Sequence, residues 1–311
     1  MSIWVDAQGW PVPPAVLLGC ILAEVLYIRG WMILVKEELT TNTARASTAP
    51  ALAGSHAGGY WRSSWFWRGI FFLVALFFGL IGDSAPIDNL SGRLFWVHMI
   101  QHLLLLVVIA PLLVAGAPLQ PLWLGLPGWV RRLASALASL KARQPFYQVG
   151  HWLRQPALSC GLFIAGIWLW HWPALYDLAL TNEAIHDWCE HLTFLAVSIL
   201  FWTQLIPSPP LRPRLGYLGQ IAIIGVAILQ NVALAALLGF APAPLYAPYA
   251  HLATVPGSFS AIQDQQLGAG IMWTFGDVPF GVALSVFVHR WFATQMDDAP
   301  VAAPSQRATE S

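Results

Sequence analysis

Charge is what this chain has least of. Asp, Glu, Lys and Arg make up 10% of its 311 residues, where soluble globular domains carry about 25%. With 57% of residues hydrophobic, a soluble globular fold is excluded. Fifteen basic residues balance fifteen acidic ones, so no charge signal points to nucleic acid or an acidic partner. Cysteine is scarce as well. Cys20, Cys160 and Cys189 are odd in number and lack C-x-x-C or C-x-x-x-C spacing, which argues against a disulfide framework or a dithiol copper site. There is no G-x-S-x-G, no H-E-x-x-H and no phosphate-binding glycine loop, so the chain reads as a non-enzyme. The opening MSIWVDAQGWPVPP lacks the basic stretch and A-x-A-like site of a cleaved signal peptide. No clear inverted repeat relates the two halves, which weakens a secondary-transporter reading.

What the chain does have is long apolar runs and 17 tryptophans. A membrane-crossing helix needs about 20 mostly apolar residues. Seven stretches qualify: 14–35, 65–82, 95–116, 157–172, 187–206, 216–240 and 266–292. The fourth is short and relies on Trp168, Trp170 and Trp172 as interfacial anchors. Trp61, Trp65, Trp67, Trp96, Trp188 and Trp291 also cluster at segment ends. The expected fold is therefore all-α, a seven-helix transmembrane domain over residues 14–293. A short segment 1–13 precedes it and a disordered tail 294–311 follows. Residues 37–64 surround the small, polar run 40–59 and read as a flexible linker. The loop 120–156 contains GWVRRLASALASLKAR (128–143). Trp129, Leu133, Leu137 and Leu140 share a face there, as in an amphipathic helix on a membrane surface.

The connections between spans differ sharply in charge. Lys36, Arg45, Arg62, Arg68, Arg131, Arg132, Lys141, Arg143, Arg154, Arg212, Arg214, Arg290 and Arg307 fall on one side, and only Arg93 on the other. Cytoplasmic loops carry the excess of Lys and Arg. The expected orientation is N-terminus out and C-terminus in, with the linker, the amphipathic loop and the tail all cytoplasmic.

In that orientation five histidines fall in one layer at the outer face. His98 and His102 begin the third span four residues apart, on one helical face and about 6 Å apart along the axis. His171 ends the fourth span, and His186 and His191 open the fifth. Imidazole is costly in lipid and a good transition-metal ligand. The pairs His186/Glu190 and Asp187/His191 are each four apart, placing a carboxylate on the face of each histidine. Such carboxylates commonly hold the far ring nitrogen of a ligating imidazole. Buried histidines also serve as plain hydrogen-bonding helix contacts. Met99 and Met272 could offer thioethers to Cu(I), or simply pack. Asp264 and Asp277 lie at the start of the seventh span and within it. Beside Gly276 and Pro279, Asp277 could equally satisfy freed backbone groups.

At these same residues the chain resembles the multi-spanning CtaG family of cytochrome c oxidase assembly factors. The matching stretches are HMIQHLLLLVVIAPLLVAGAPL (98–119), WHWPALYDLALTNEAIHDWCEHLTF (170–194), LGFAPAPLYAPY (238–249) and DQQLGAGIMW (264–273). The N-terminal 60 residues and the loop after the third span do not contribute. The resemblance implies a multi-pass protein of the bacterial inner membrane that is needed to mature a haem–copper oxidase and helps deliver copper to it. Its partners would be the oxidase subunits and the lipid bilayer. A different, single-span copper-binding assembly protein shares the CtaG name; it relies on cysteines absent here, and its chemistry is not carried over.

The resulting expectation is a copper site, most naturally for Cu(I). His98 and His102 would be core ligands, and His171, His186 and His191 further ones. Asp187 and Glu190 would support them, with Met99, Met272, Asp264 and Asp277 as additional polar or thioether neighbours. Three other readings use the same topology: a b-type haem protein with two axial imidazoles, a copper permease, and a metal-free assembly scaffold.

Overall fold

The computed structural model describes residue 12 and residues 14–48, 64–138, 143–182, 184–251 and 259–297. Regular structure among the described residues is helical, with no strand and one isolated bridge between Ser208 and Leu211. The order is α1 (Pro14–Thr48), α2 (Ser64–Gly82), α3 (Ala85–Ser91), α4 (Phe95–Leu103), α5 (Ala110–Gly116), α6 (Leu119–Gly125), α7 (Gly128–Ala138) and α8 (Arg143–Leu153). There follow α9 (Pro156–Trp170), α10 (Pro173–Thr181), α11 (His191–Trp202), α12 (Tyr217–Gly239), α13 (Ala247–His251) and α14 (Ala261–Asp297). A π-helical segment, Leu104–Ile109, joins α4 to α5, and another, Ile185–Glu190, leads into α11.

Among the described residues five helices are long and apolar enough to cross a membrane: Val16–Thr41, Ser64–Gly82, Phe95–Gly116, Tyr217–Gly239 and Ala261–Met296. A sixth arises if α9 and α10, bent by 70° at their junction, count as one. The continuous helix Ile185–Trp202 falls outside this set, because its first turns carry His186, Asp187, Glu190 and His191. The polar residues that make it interesting are the ones that dilute its hydropathy.

Two boundaries differ from the sequence reading. Helix α1 runs on to Thr48, so residues 37–48 of the expected linker are helical; a helix already nucleated in an apolar run propagates at little cost. Residues 49–63, the rest of that stretch, lie outside the described residues. Helix α14 likewise continues to Asp297, past the expected start of the tail, and 298–311 and 1–11 are outside the described residues too. In the loop 120–156, α7 exposes Trp129, Leu133 and Leu137 along one face; Leu140 is outside the described residues.

The bundle packs α12 against α14, α14 against α4, α11 against α9, and α1 against α6. The last contact is backbone to backbone. A Cβ at Gly30 would overlap the Pro121 carbonyl, and one at Gly125 would overlap that of Leu26. Small residues are how membrane helices reach such separations. Tyr27 fixes α1 on the other side, donating to the Gly116 carbonyl at 2.7 Å and stacking on Phe72 at 3.8 Å.

Proline shapes the centre of the bundle. In the first π segment the Ala110 N–H bonds the Leu105 carbonyl five residues back. The next donor in that ladder would be residue 111, which is proline and has no N–H. The Leu106 carbonyl is thereby freed, and α11 supplies its partners: Ser198 Oγ donates at 2.7 Å and Trp202 Nε1 at 2.9 Å. Two segments distant in sequence are locked where no water competes. Replacing both partners (Ser198→Ala with Trp202→Phe) orphans a buried carbonyl, a loss of about 1–3 kcal/mol. A lowered midpoint in detergent thermal unfolding is expected, and an unchanged midpoint would show that the lock is dispensable.

Candidate metal centre

The cluster sits where five helix ends meet. Asp264 of α14 accepts from the first free N–H groups of α4, Phe95 at 2.8 Å and Trp96 at 3.2 Å. It caps in trans the helix that presents His98 and His102. Gln101, between them, donates to the Gly82 carbonyl at the end of α2 at 3.0 Å. Helix α9 ends at Trp170 because Pro173 forces the preceding residue into extended backbone. His171 is left at the bend. The second π segment presents His186 and Glu190 as buried residues on its wider turn, and His191 follows.

All five imidazoles converge, and all are buried. Ring centroids lie 4.2 Å apart for His98–His102, 5.0 Å for His98–His186 and 4.3 Å for His186–His191. His102 is 5.7 Å from His191, 6.2 Å from His171 and 6.5 Å from His186.

Hydrogen-bond partners fix which nitrogen faces inward. Tyr249 has one hydroxyl proton and donates it to the Ser91 carbonyl at 2.6 Å, so at 3.2 Å it accepts from His98 Nδ1. His171 Nδ1 donates to the Ile167 carbonyl at 2.8 Å. His186 Nδ1 donates to Asp187 Oδ1 at 2.9 Å. In each case Nδ1 is held by a hydrogen bond, and among the described residues Nε2 is buried with no partner. His191 Nε2 and both nitrogens of His102 are buried and without a hydrogen bond as well. Neither oxygen of the fully buried Glu190 has a hydrogen bond, although its Oε1 stands 3.4 Å from His102 Nε2.

Two sets of these atoms are close enough to hold an ion. His98, His102, His186 and Glu190 offer donor atoms all within 4.8 Å of one another, and so do His186, Asp187 and His191. His171 touches the cluster but belongs to neither set. The carboxylates keep the histidines that four-residue spacing gives them, Glu190 in one set with His186 and Asp187 in one with His191, and gain further neighbours. His186 bonds its chain neighbour Asp187, Glu190 turns toward His102, and the carboxylate in ion-pair range of His191 is Asp83 at 3.8 Å. The π turn, whose bonds span five residues, departs from α-helical spacing. Asp83 lies just past α2; burial pushes its carboxyl up to about 6, with Asp187 and Asp88 adding and His186 opposing.

The remaining sequence candidates lie elsewhere. Asp264 acts on the α4 backbone. Asp277 accepts from Asn231 Nδ2 at 2.9 Å, and Asn231 also donates to the Met272 carbonyl at 2.9 Å. Met99 and Met272 are buried in the apolar core. The His251 side chain is outside the described residues. Tyr249 and Asp83 were missed by the sequence reading. Tyr246, which donates to the His171 carbonyl at 3.1 Å, was missed too. Only the resemblance, whose third stretch ends in LYAPY, drew attention to the two tyrosines.

The model of the cytochrome c oxidase caa3 assembly factor family (Caa3_CtaG) matches residues 25–294. The chain belongs to this family. The match contains every histidine of the cluster, both π segments and the capping Asp264. Curated relatives include uncharacterised proteins of Mycobacterium bovis and Mycobacterium tuberculosis, each 25% identical over 74% of this chain and 34% of their own length. An uncharacterised protein of Mycobacterium leprae is 22% identical over 67% of this chain and 32% of its own. The family member described here thus spans about a third of the length of those relatives. No solved structure matches it.

The tautomer assignment is directly measurable. In ¹⁵N imidazole spectra His98 and His171 should each be protonated at Nδ1. Tyr249→Phe should remove that preference at His98 and leave His171 unchanged. A His98 ring protonated at Nε2 in the unsubstituted protein would contradict the geometry.

Proposed function

We propose that this assembly factor binds copper at the histidine cluster, on the outer face of the bacterial inner membrane, and passes it to a haem–copper oxidase subunit during assembly. One observation carries the reading. His98, His102 and His186 gather with Glu190, and among the described residues their buried Nε2 atoms have no hydrogen-bond partners, while the Nδ1 atoms of His98 and His186 are engaged by Tyr249 and Asp187. A polar atom buried unpaired costs about 1–3 kcal/mol, so such a gathering is the signature of a site whose partner is a ligand. Imidazole with carboxylate suits copper, in competition with zinc. Cys189 is exposed and in neither set, so no thiolate tightens the site. That fits a cargo to be released. Cu(I) remains the form to test first, with zinc as competitor.

The seven-span, N-out topology belongs to the same proposal. It takes Ile185–Trp202 as a crossing helix and α9 with α10 as one bent crossing. Arg68 reaches the Ala115 and Pro207 carbonyls, Arg154 the Arg212 carbonyl, and Arg214 the His151 carbonyl. These arginines share the end of the bundle opposite the cluster, as the positive-inside rule requires of a cytoplasmic end.

The rival readings lose ground on specific contacts. A haem would need a flat slot between two imidazoles, and here the rings of His98, His102 and His186 pack against one another, with centroids 4.2 Å and 5.0 Å apart for His98–His102 and His98–His186. A permease would need polar groups continuing inward. Beneath the cluster Phe163 stacks on Phe201 at 4.5 Å and Trp202 on Phe280 at 5.4 Å, an apolar plug.

Full-length protein purified in detergent and loaded anaerobically with Cu(I) should hold one copper tightly per chain, and His98→Ala/His102→Ala should lose that tight binding. Equal retention by the variant, or a haem Soret band in the purified protein, would overturn the proposal. For orientation, alkaline phosphatase fused after residue 182 should be active and after residue 143 inactive; the reverse pattern would invert the topology.

A further inference from the structure

The two donor sets share a residue, His186. Its Nδ1 faces Asp187 at 2.9 Å, and its buried Nε2 has no partner among the described residues. The sets also differ in their access to water. In the inner set His102 and Glu190 have side chains only 2% and 1% exposed. Beside His191, by contrast, the Asp187 and Asp83 side chains are 34% and 36% exposed. His191 Nε2 is nevertheless buried and unpartnered, so the outer set is more than an acidic surface patch.

We propose that the cluster carries one metal ion through two successive positions, an outer loading site formed by His186, Asp187 and His191 beneath Asp83, and an inner holding site formed by His98, His102, His186 and Glu190. The inference rests on the metal-handling reading above and adds to it a route and an order of events. The cargo is a borderline transition-metal cation, copper or zinc by donor type. The move is a ligand exchange without electron transfer. Bonds to His191 and Asp187 break as bonds to His98, His102 and Glu190 form, and His186 stays attached throughout. One carboxylate replaces another, so the charge around the ion is conserved and the ion is never stripped bare in an apolar bundle. Two cations in sets that share one imidazole would lie side by side and repel, so the positions are filled one at a time. Asp83 and Asp187 at the mouth attract the cation, an effect that salt screens.

The experiment follows Cu(I) transfer from a coloured chelator into the detergent-purified full chain, by stopped-flow for rate and by titration for end point. Unsubstituted protein should saturate at one copper. Asp187→Asn/His191→Gln should load about tenfold or more slowly, and its rate should lose the salt dependence of the parent. His98→Ala/His102→Ala, deprived of the inner position, should keep one weakly held copper that disappears when His191→Gln is added. Circular dichroism of each variant, together with Asp83→Asn at the rim as a milder rate probe, guards against misfolding. Two coppers per chain, an unchanged loading rate in the outer variants, or weak binding indifferent to His191→Gln would overturn the two-position scheme alone. Unsubstituted protein that takes no copper would overturn the metal-handling reading with it.

Discussion

An imidazole nitrogen buried in an apolar bundle must find a partner or carry the cost of lacking one. In three of the five rings this fold answers that demand on one side and leaves it unanswered on the other. Tyr249 holds His98, the Ile167 carbonyl holds His171, and Asp187 holds His186, each through Nδ1. The three holders come from α13, α9 and the second π segment. The cluster's tautomers therefore depend on several elements being in place together. Tyr249 is positioned in turn by Ser91, and the neighbouring loop by Gln265, which accepts from the Leu245 N–H and donates to the Leu238 carbonyl.

Irregular backbone is what brings the rings together. A regular α-helix continuing through Pro111, or through residues 185–190, would aim its side chains differently. Both π segments flank the cluster, and the bend before Pro173 delivers His171. Inside a membrane every carbonyl freed by such irregularity must be satisfied by protein. Ser198 and Trp202 do so at Leu106, and Arg68 does so at Ala115 near the opposite end. Satisfying these carbonyls and positioning the site are one arrangement, because the helix that satisfies Leu106 also carries His191.

The sequence made the coarse layout legible and the fine layout only in part. Spacing alone put His98 and His102 on one face, and long apolar runs placed His171, His186 and His191 at neighbouring helix ends. Helical rotation was not available from one sequence, so the partition into two donor sets was not either. Four-residue spacing assigned Glu190 to His186 and Asp187 to His191. Those pairs do share donor sets, but Glu190 also approaches His102 and Asp187 bonds His186, and nothing in IHDWCE advertises the π turn that carries them. Asp264 was identified as an unusual polar residue, but its role as a cap on another helix depends on tertiary contact. Met99, Met272 and Asp277 were plausible by chemistry and are placed elsewhere by packing. Hydropathy found the uniformly apolar helices and strained at Ile185–Trp202, because a functional site had replaced apolar residues there.

The central claim is that copper is held by imidazole and carboxylate, without sulfur. X-ray absorption of the Cu(I)-loaded full chain tests it most directly. The account predicts a first shell of nitrogen and oxygen alone, with the outer-shell scattering of more than one imidazole. A sulfur shell, or a shell without imidazole scattering, would place the metal somewhere other than His98, His102, His186 and Glu190 and contradict the account.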